Sequence, residues 1–400
     1  MKVEGTSPDE GIYPRGFFSA RKWPWPLVQS EKLVVLNYGK ALRDGDRQSG
    51  NVPVYGTNGR CGWHDKSLTT GPGVILGRKG QGPLGVEWCD SDFWVIDTAY
   101  FVTRKTEQLD LRYFYYLVKY IGLNHLKDGT SNPSLSRPTF YDLLLPVPPL
   151  HTQCAISRFL ATLDERIDLN RRMNQTLEEI GRTLFEEWFP GVVTSDGQKS
   201  SHLFGEIASA SRESLSPLQY PEETFDHYSI PAYDEGQLPV VEEGRQIKSN
   251  KFIVHANSVL LSKLNPRIPR TWLPSVSEQR RSLCSTEFIV LRPNEGWSRE
   301  FVYALCNSTI FQEAFSGMVT GTSGSHQRVK PEYLEKLPVQ LPTRELVAKF
   351  TQVIKPAHAR AALNLQQNAT LTTLRDALLP KLASGEVKIA QQPHATGATL

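Results

Sequence analysis

The chain has 400 residues, 39% of them apolar and 22% charged, with a formal net charge of +3, a balance that excludes a disordered or fibrous chain and leaves room for two or three domains. No apolar run reaches the roughly 18 residues of a membrane span, and the start, MKVEGTSPDEGIYPRGFFSARKWPWP, has no apolar stretch behind a basic head, so neither a spanning helix nor a secretory leader is expected. Cys61, Cys89, Cys154, Cys284 and Cys306 are odd in number and never sit as Cys-x-x-Cys, which reads as reduced thiols in a cytoplasmic protein.

The first 26 residues, ending in KWPWP, take no assignable role. From there to about residue 150, short runs rich in Val, Ile, Trp and Tyr are bounded by Gly, Pro, Asn and Asp, as in GPGVILGRKG and DFWVIDTAYFV; these predict strands and turns, with a helical piece near DLRYFYYLVKY. After Pro149 the punctuation stops, and between Gln153 and Phe189 there is one glycine, Gly181, and no proline. Ile156, Leu163, Leu177 and Leu184 keep a seven-residue frame, joined by Leu160 and Ile167. That spacing predicts a coiled-coil helix about 55 Å long at 1.5 Å per residue. A second strand-rich stretch follows, then a second helix marked by Leu346, Phe350, Val353, Leu371, Leu374 and Leu378 and stopped by Pro380 and Gly385. Asn170 and Asn174 interrupt the core of the first helix, and Arg360, Asn364 and Gln367 that of the second. Polar core residues fix register, so the two helices are expected to pair with each other. The alternative is that each packs on its own domain, with Pro356 kinking the second.

The two halves repeat one another. GTSNPSLSRPTFYDLLLPVPPL begins at Gly129 and GTSGSHQRVKPEYLEKLPVQLP at Gly321; 321 − 129 = 192, and the prolines of the two Leu-Pro-Val steps give 338 − 146 = 192 again. VPVYG from Val52 answers IPAYD from Ile230 at 178, VILGRKG from Val74 answers VLLSKLN from Val259 at 185, and FVTRK from Phe101 answers FIVLR from Phe288 at 187. Growing offsets in preserved order indicate a duplicated domain, far too long a period for a solenoid. Halves related by a two-fold axis would make the helices antiparallel, with a domain at each end of a rod. Such a caliper suits duplex DNA, whose half-sites recur about 34 Å apart. Local charge agrees: Tyr55 to Gly80 holds four basic residues against one acid, and Lys263 to Arg281 holds five against Glu278.

In these motifs the chain resembles the specificity (S) subunit of type I restriction-modification systems, from about Leu33 to Val387. The first half carries the resemblance in VPVYGTNGRCGWHDK, GPGVILGRKGQGPLG, FWVIDTAYFV and LPVPPLHTQCAISRFLATLDERID. The second carries it in HYSIPAYDEGQLP, IKSNKFIVHANSVLLSKLNPRIPRTW, CSTEFIVL, GTSGSHQRVKPEYL and LRDALLPKLASGEV. The resemblance implies an α+β fold: two similar strand-rich target recognition domains in pseudo-two-fold arrangement, separated by two long antiparallel coiled-coil helices. Its segments are an extension (1–27), recognition domain 1 (28–150), helix 1 (151–190), a linker (191–200), recognition domain 2 (201–341), helix 2 (342–387) and a tail (388–400). It further implies a non-catalytic chain whose domains each read half of a bipartite asymmetric site in double-stranded DNA. The helices then set the spacing and dock two adenine-methylating methyltransferase subunits, through which restriction subunits join. S-adenosylmethionine, ATP and Mg belong to those partners, none to this chain, and no membrane is involved. The alternatives are the specificity chain of another multi-subunit restriction-modification enzyme, or a coiled-coil scaffold that does not bind DNA.

The residues offer little chemistry of their own. There is no Gly-x-x-x-x-Gly-Lys-Ser/Thr loop for ATP and no Asn-Pro-Pro-Tyr or Asp-Pro-Pro-Tyr adenine clamp. Gly80, Gly82 and Gly85 spell Gly-x-Gly-x-x-Gly, but Pro83 and VEWCDSDFWV predict turn and strand where a dinucleotide fold needs a helix. Cys61, His64 and Cys89 lack a fourth ligand for zinc. Glu386 and Lys388 sit past a helix end without a preceding Pro-Asp. Base reading and phosphate clamping need Arg, Lys, Asn, Gln, Ser or Thr on rigid turns. The candidates are Tyr55, Asn58, Arg60, His64, Arg78 and Lys79 in the first half. In the second they are Lys263, Asn265, Arg267, Arg270, Ser323, His326, Gln327, Arg328 and Lys330.

Overall fold

The structure, a computed structural model, describes residues 24–193, 202–319 and 327–389. It divides into two compact units, Met1–Glu165 with Leu371–Leu400, and Arg166–Thr370. Both cuts fall inside long helices, so each unit owns part of each helix. Most of the expected linker 191–200 and of the N-terminal extension lies outside the described residues.

In the first unit β1 (Leu27–Gln29) passes through one helical turn, α1 (Ser30–Leu33), into β2 (Val34–Tyr38), β3 (Val52–Gly56), β4 (Gly59–His64), β5 (Gly73–Gly77), β6 (Val86–Cys89), β7 (Trp94–Val95) and β8 (Ala99–Arg104). One sheet has the antiparallel order β2-β8-β5-β6; a second has the order β4-β3-β7, with β3 and β7 parallel. Helix α2 (Leu111–Ile121) starts where the Asp110 carboxylate accepts from the Tyr113 amide. After β9 (Lys127–Asp128), β10 (Ser134–Leu135) and α3 (Arg137–Tyr141), β11 (Leu144–Pro146) returns to pair with β1 and leads into α4 (Leu150–Trp188). Strand β5 is buried throughout: Val74 and Leu76 face a cluster with Tyr113, Tyr116 and Leu160, while Ile75 faces Tyr55, Phe93 and Val95. A strand covered on both faces reads as the unbroken apolar run seen in GVILG.

The second unit has β12 (His202–Leu203), β13 (Ala208–Ser211), β14 (Ser214–Leu215), β15 (Thr224–Tyr228), α5 (Ile230–Gly236), β16 (Val240–Glu243), β17 (Lys251–Val254), β18 (Val259–Ser262), β19 (Thr271–Trp272), β20 (Ser282–Cys284) and β21 (Phe288–Pro293). Helices α6 (Arg299–Asn307), α7 (Thr309–Gly317) and α8 (Pro331–Glu335), strand β22 (Pro338–Val339) and helix α9 (Arg344–Ala383) complete it. Its main sheets have the orders β13-β21-β18-β19 and β14-β17-β20-β15-β16. Pro356 does not end α9.

The duplication is legible in the backbone hydrogen bonds. Arg78 N donates to Thr98 O and Leu135 N to Arg78 O; in the second unit Lys263 N donates to Glu287 O and Val329 N to Lys263 O. Gly80 N to Pro133 O is matched by Asn265 N to Gln327 O, and Gly80 and Asn265 both have positive φ, +135° and +48°. The offset of 185 therefore stands here (263 − 78), and Val259 and Leu261 face one cluster and Leu260 another, as Val74, Leu76 and Ile75 do. Three other sequence pairings need correction. Ile96 N to Tyr55 O is matched by Ser285 N to Tyr228 O, so β8 and β21 stand 285 − 96 = 189 apart, not 187. Ser30 N to Leu143 O is matched by Phe204 N to Leu337 O, giving 337 − 143 = 194, not 192, at the Leu-Pro-Val step. Both errors are slips of two residues, which keep every side chain on its own face and so leave the hydropathy pattern unchanged. With Tyr55 matched to Tyr228, 228 − 55 = 173, the true counterpart of VPVYG is FDHYS, beginning at Phe225 in β15; IPAYD is α5, started by Pro231 in its first turn and by Ser229 Oγ accepting from Ala232 N.

Candidate nucleic-acid interface and helix seam

In the first unit the β3–β4 hairpin turn lies against the turn after β5, with Thr57 Oγ1 donating to Lys79 O at 2.6 Å. This brings exposed Asn58 beside Arg78 and Lys79, while Arg60 lies exposed on β4, stacked 4.6 Å from the Trp63 ring. Arg78 donates from Nε and Nη2 to Asp97 O (3.1 and 2.6 Å), and Lys79 Nζ stands 3.6 Å from the Asp97 carboxylate. The backbone carbonyl orients Arg78 without cancelling its charge. Tyr55 and His64, expected at this surface, are core residues. Tyr55 is 8% exposed and packs edge-on against Phe93, and burial followed by a hydrogen bond with Cys89 pushes its phenol up. His64 is 6% exposed, and its Nδ1 accepts from Gln48 N. Both stand on strands at positions whose side chains point inward, a fact that Gly-rich surroundings hide.

In the second unit the turn after β18 carries Lys263, Asn265 and Arg267, bridged by backbone to Gln327 and Arg328. Exposed Arg267 has no ion pair among the described residues, and Lys330 reaches over the Tyr333 ring at 5.7 Å. Arg270 is not available: it is bound twice to Asp234, at 2.7 and 2.9 Å. Arg328 is likewise forked onto Glu287 (2.9 and 3.0 Å), which holds the Glu287 carboxyl below its ordinary range. Arg280 pairs with Asp226 at 2.7 Å and Arg281 with Glu223 at 2.6 Å. The apparent excess of five cations over one acid between Lys263 and Arg281 is thus mostly neutralised by acids 36 to 58 positions earlier. Ser323 and His326 lie outside the described residues.

The helices meet within each unit. In the first, Ile156 and Leu160 share a core with Leu379, Leu382 and Ala383, and Asp164 accepts from Arg375 Nη1 at 2.7 Å and from Tyr116 OH at 2.7 Å. In the second, Asn170 Nδ2 donates to Asn368 Oδ1 (2.9 Å) and to Gln367 Oε1 (3.3 Å), Asn364 Nδ2 donates to Asn174 Oδ1 (2.7 Å), and Phe185 packs on Phe350. Partner numbers fall as helix numbers rise, so the pairing is antiparallel. The ladder is also self-matched: 364 − 170 and 368 − 174 both equal 194, the offset of the Leu143–Leu337 match, so the repeat exchanges its two amide pairs. Helix pairing and packing on the unit's own core therefore both occur.

The frame expected for α4 holds: Ile156, Leu160, Ile167, Asn170 and Asn174 are buried, and Leu163, Leu177 and Leu184 partly so. The frame for α9 is displaced. Val353 and Leu374 are 51% and 42% exposed, and Arg360 is exposed, whereas Val347, Phe350, Ile354, Asn364, Leu379 and Leu382 are buried and Leu346, Leu371 and Leu378 partly buried. Between Ile354 and Leu378 the seam positions are Ala357, Ala361, Asn364, Asn368, Leu371 and Arg375, mostly small or polar, so hydropathy carries no phase there. Gly181 fits the same seam, where an added Cβ would lie 3.2 Å from Ile354 Cδ1. Asn364→Ala removes the donor to Asn174 from the ladder, and a loss of about 2 kcal/mol is expected. Urea unfolding at unchanged m-value measures it, and a change below about 0.5 kcal/mol would contradict a buried ladder in which the Asn364 donor stabilises the seam.

The Gly80, Gly82 and Gly85 motif runs into strand β6, as its residues predict, so no helix N-terminus stands behind it. One further side chain, passed over in the sequence, stands out: Tyr38, at the end of β2, is 52% exposed, with the guanidiniums of Arg137 and Arg78 at 4.0 and 5.0 Å from its ring. Nothing in LNYGK distinguishes this tyrosine, because Arg137 and Arg78 reach it only through the sheet.

Two duplicated strand-rich modules with exposed turns of cations and aromatics, each resting on a paired helix seam, define a two-headed recognition protein. Residues 35–179 match the family model described as Type I restriction modification DNA specificity domain. The Type I restriction enzyme MjaIX specificity subunit of Methanocaldococcus jannaschii is 24% identical over 320 residues, covering 70% of this chain and 69% of that one. The Type I restriction enzyme HindI specificity subunit of Haemophilus influenzae is 21% identical over 381 residues, covering 74% and 82%. A crystal structure of a type I restriction-modification S subunit from M. genitalium aligns over 90% of this chain and 96% of that one at 18% identity, with a TM-score of 0.56, which shows a shared fold. The chain is thus similar over most of its length to type I restriction-modification specificity subunits, and residues 35–179 carry the match to their DNA specificity domain.

Proposed function

We propose that this chain selects the site of a type I restriction-modification complex in the cytoplasm, each unit reading one half of a bipartite, asymmetric DNA sequence. The helix pair sets the distance between half-sites and docks two adenine methyltransferase subunits, through which restriction subunits join. The observation that carries this reading is the duplication itself: matched hydrogen bonds build the same turn twice but present different side chains, Arg78 against Lys263 and Gly80 against Asn265. Two heads of one design with different reading residues suit two different half-sites. The chain supplies recognition; S-adenosylmethionine, ATP and Mg act in the partners. Among the described residues no helix is long and apolar enough to cross a membrane.

Genome-wide mapping of N6-methyladenine with the gene present and deleted, its partner genes intact, tests the reading. One bipartite methylated motif is expected to vanish on deletion; if every motif persists, the reading falls. Within the first head, Asn58, Arg60, Arg78 and Lys79 are the assigned contacts, and Lys263, Arg267, Gln327 and Lys330 those of the second. Replacing Arg78 and Lys79 together by Ala should weaken DNA binding by the assembled complex and flatten the plot of log affinity against log salt by up to about 2. Wild-type affinity with an unchanged slope would remove these two residues from the interface.

A further inference from the structure

We propose that Tyr38 and Arg137 form a base-reading corner of the first head, and that the Arg212–Glu332 pair is the same corner of the second. The proposal rests on the reading of the chain as a DNA specificity subunit and names residues which that reading does not assign.

The equivalence comes from strand register. Asn37 lies opposite Phe101 in the β2–β8 ladder, and Ser211 lies opposite Val290 in the β13–β21 ladder. Since 290 − 101 = 189 is the offset between β8 and β21, Asn37 corresponds to Ser211 and Tyr38 to Arg212. The Leu143–Leu337 match, 194 apart, likewise sets Pro138 against Glu332 and superposes the starts of α3 and α8. One corner of the duplicated fold, where the end of the edge strand meets a short helix, therefore holds different chemistry in each copy.

In the first head the Arg137 guanidinium lies 4.0 Å from the Tyr38 ring. Among the described residues it has no hydrogen bond or ion pair, and its Nε is buried without a partner. Arg78, 5.0 Å from the same ring, is held by Asp97 O. A stacked guanidinium is fixed in its plane and offers its N–H edge to a pair of acceptors, the pattern of guanine O6 and N7, and the neighbouring aromatic face accepts a base or a thymine methyl. In the second head Arg212 is instead closed by the Glu332 carboxylate. A carboxylate-bearing corner accepts hydrogen bonds, as from the cytosine amino group, and repels phosphate. The two corners therefore favour different bases.

The test uses the full chain assembled with its methyltransferase subunits, on duplexes bearing the mapped motif and single-base variants of each half. Arg137→Ala and Tyr38→Ala are each expected to lower affinity for the cognate duplex about tenfold or more and to relax discrimination in one half-site only. Arg137→Lys should not restore it, because an ammonium lacks the fork. Glu332→Gln should change discrimination in the other half-site. Unchanged discrimination in every variant overturns the corner while leaving the specificity reading intact. A uniform loss on all duplexes with a shallower salt slope assigns Arg137 to phosphate and overturns base reading. A wild-type complex with no sequence preference overturns the parent reading and the corner with it. Tyr38→Phe, which keeps the ring, separates stacking from misfolding: retained discrimination is expected, and its loss in a folded complex counts against stacking.

Discussion

Phe350→Ala is expected to destabilise the second unit by about 3–5 kcal/mol, the range for emptying a fully buried aromatic site. Phe350 has no exposed surface, and its ring centroid lies 5.2 Å from Phe189, 5.9 Å from Phe185 and 6.0 Å from Trp188. Phe301 closes the group from α6, at 5.0 Å from Phe189 and 5.5 Å from Phe185. One residue of α9 thus ties α4 to the head, and its removal leaves a cavity that three other aromatics cannot fill without moving. Denaturant unfolding followed by tryptophan fluorescence reads the effect, since Trp188 borders the cavity. Val353→Ala, one turn away but 51% exposed, should change stability by less than about 0.5 kcal/mol. Equal losses for the two variants would show that the seam of α9 follows the leucine and valine spacing after all.

The stability of the second unit should fall as the solution is acidified from about pH 6.5 towards pH 4, and His358 is the reason. Its ring packs edge-on against Tyr303 at 5.0 Å, and its Nδ1 is buried without a hydrogen-bond partner. Burial first, and then the Arg299 cation, hold the imidazole neutral down to about pH 4. The unfolded chain takes up the same proton near pH 6.5. Between those values the unfolded state binds more protons, so stability is fully present above pH 6.5 and lost as pH falls through the window, by about 3 kcal/mol in all. Urea midpoints at pH 7 and pH 4.5 measure it. His358→Gln should flatten the profile within this window; a profile as steep as that of wild type would assign the acid sensitivity to other groups.

Much of the architecture is written locally. The alternation in VIL and VLL marks two strands covered on both faces, and the polar interruptions at Asn170, Asn174 and Asn364 mark where the helices pair. The duplication, the strand-rich heads, the long helices and the phase of α4 all follow from periodicity and punctuation, which depend on neighbours within a few residues. The candidate site was less legible. Arg78, Lys79 and Lys263 stand on the expected turns, but Tyr55 and His64 are core, and Arg270 is neutralised by Asp234 across 36 positions.

The amino-acid sequence by itself determined that this protein is two copies of one strand-rich head, each leading into a long helix, because strand and helix periods are local properties of the chain. Only the tertiary structure decided the offsets of the repeat, the phase of α9 and which cations keep an open charge. A slip of two residues is invisible to a period of two, a seam of alanines and asparagines has no hydropathy to read, and the partner of a charge lies wherever the sheet brings it. The unpaired guanidinium of Arg137, stacked on Tyr38 across a separation of 137 − 38 = 99 positions, belongs wholly to that second class.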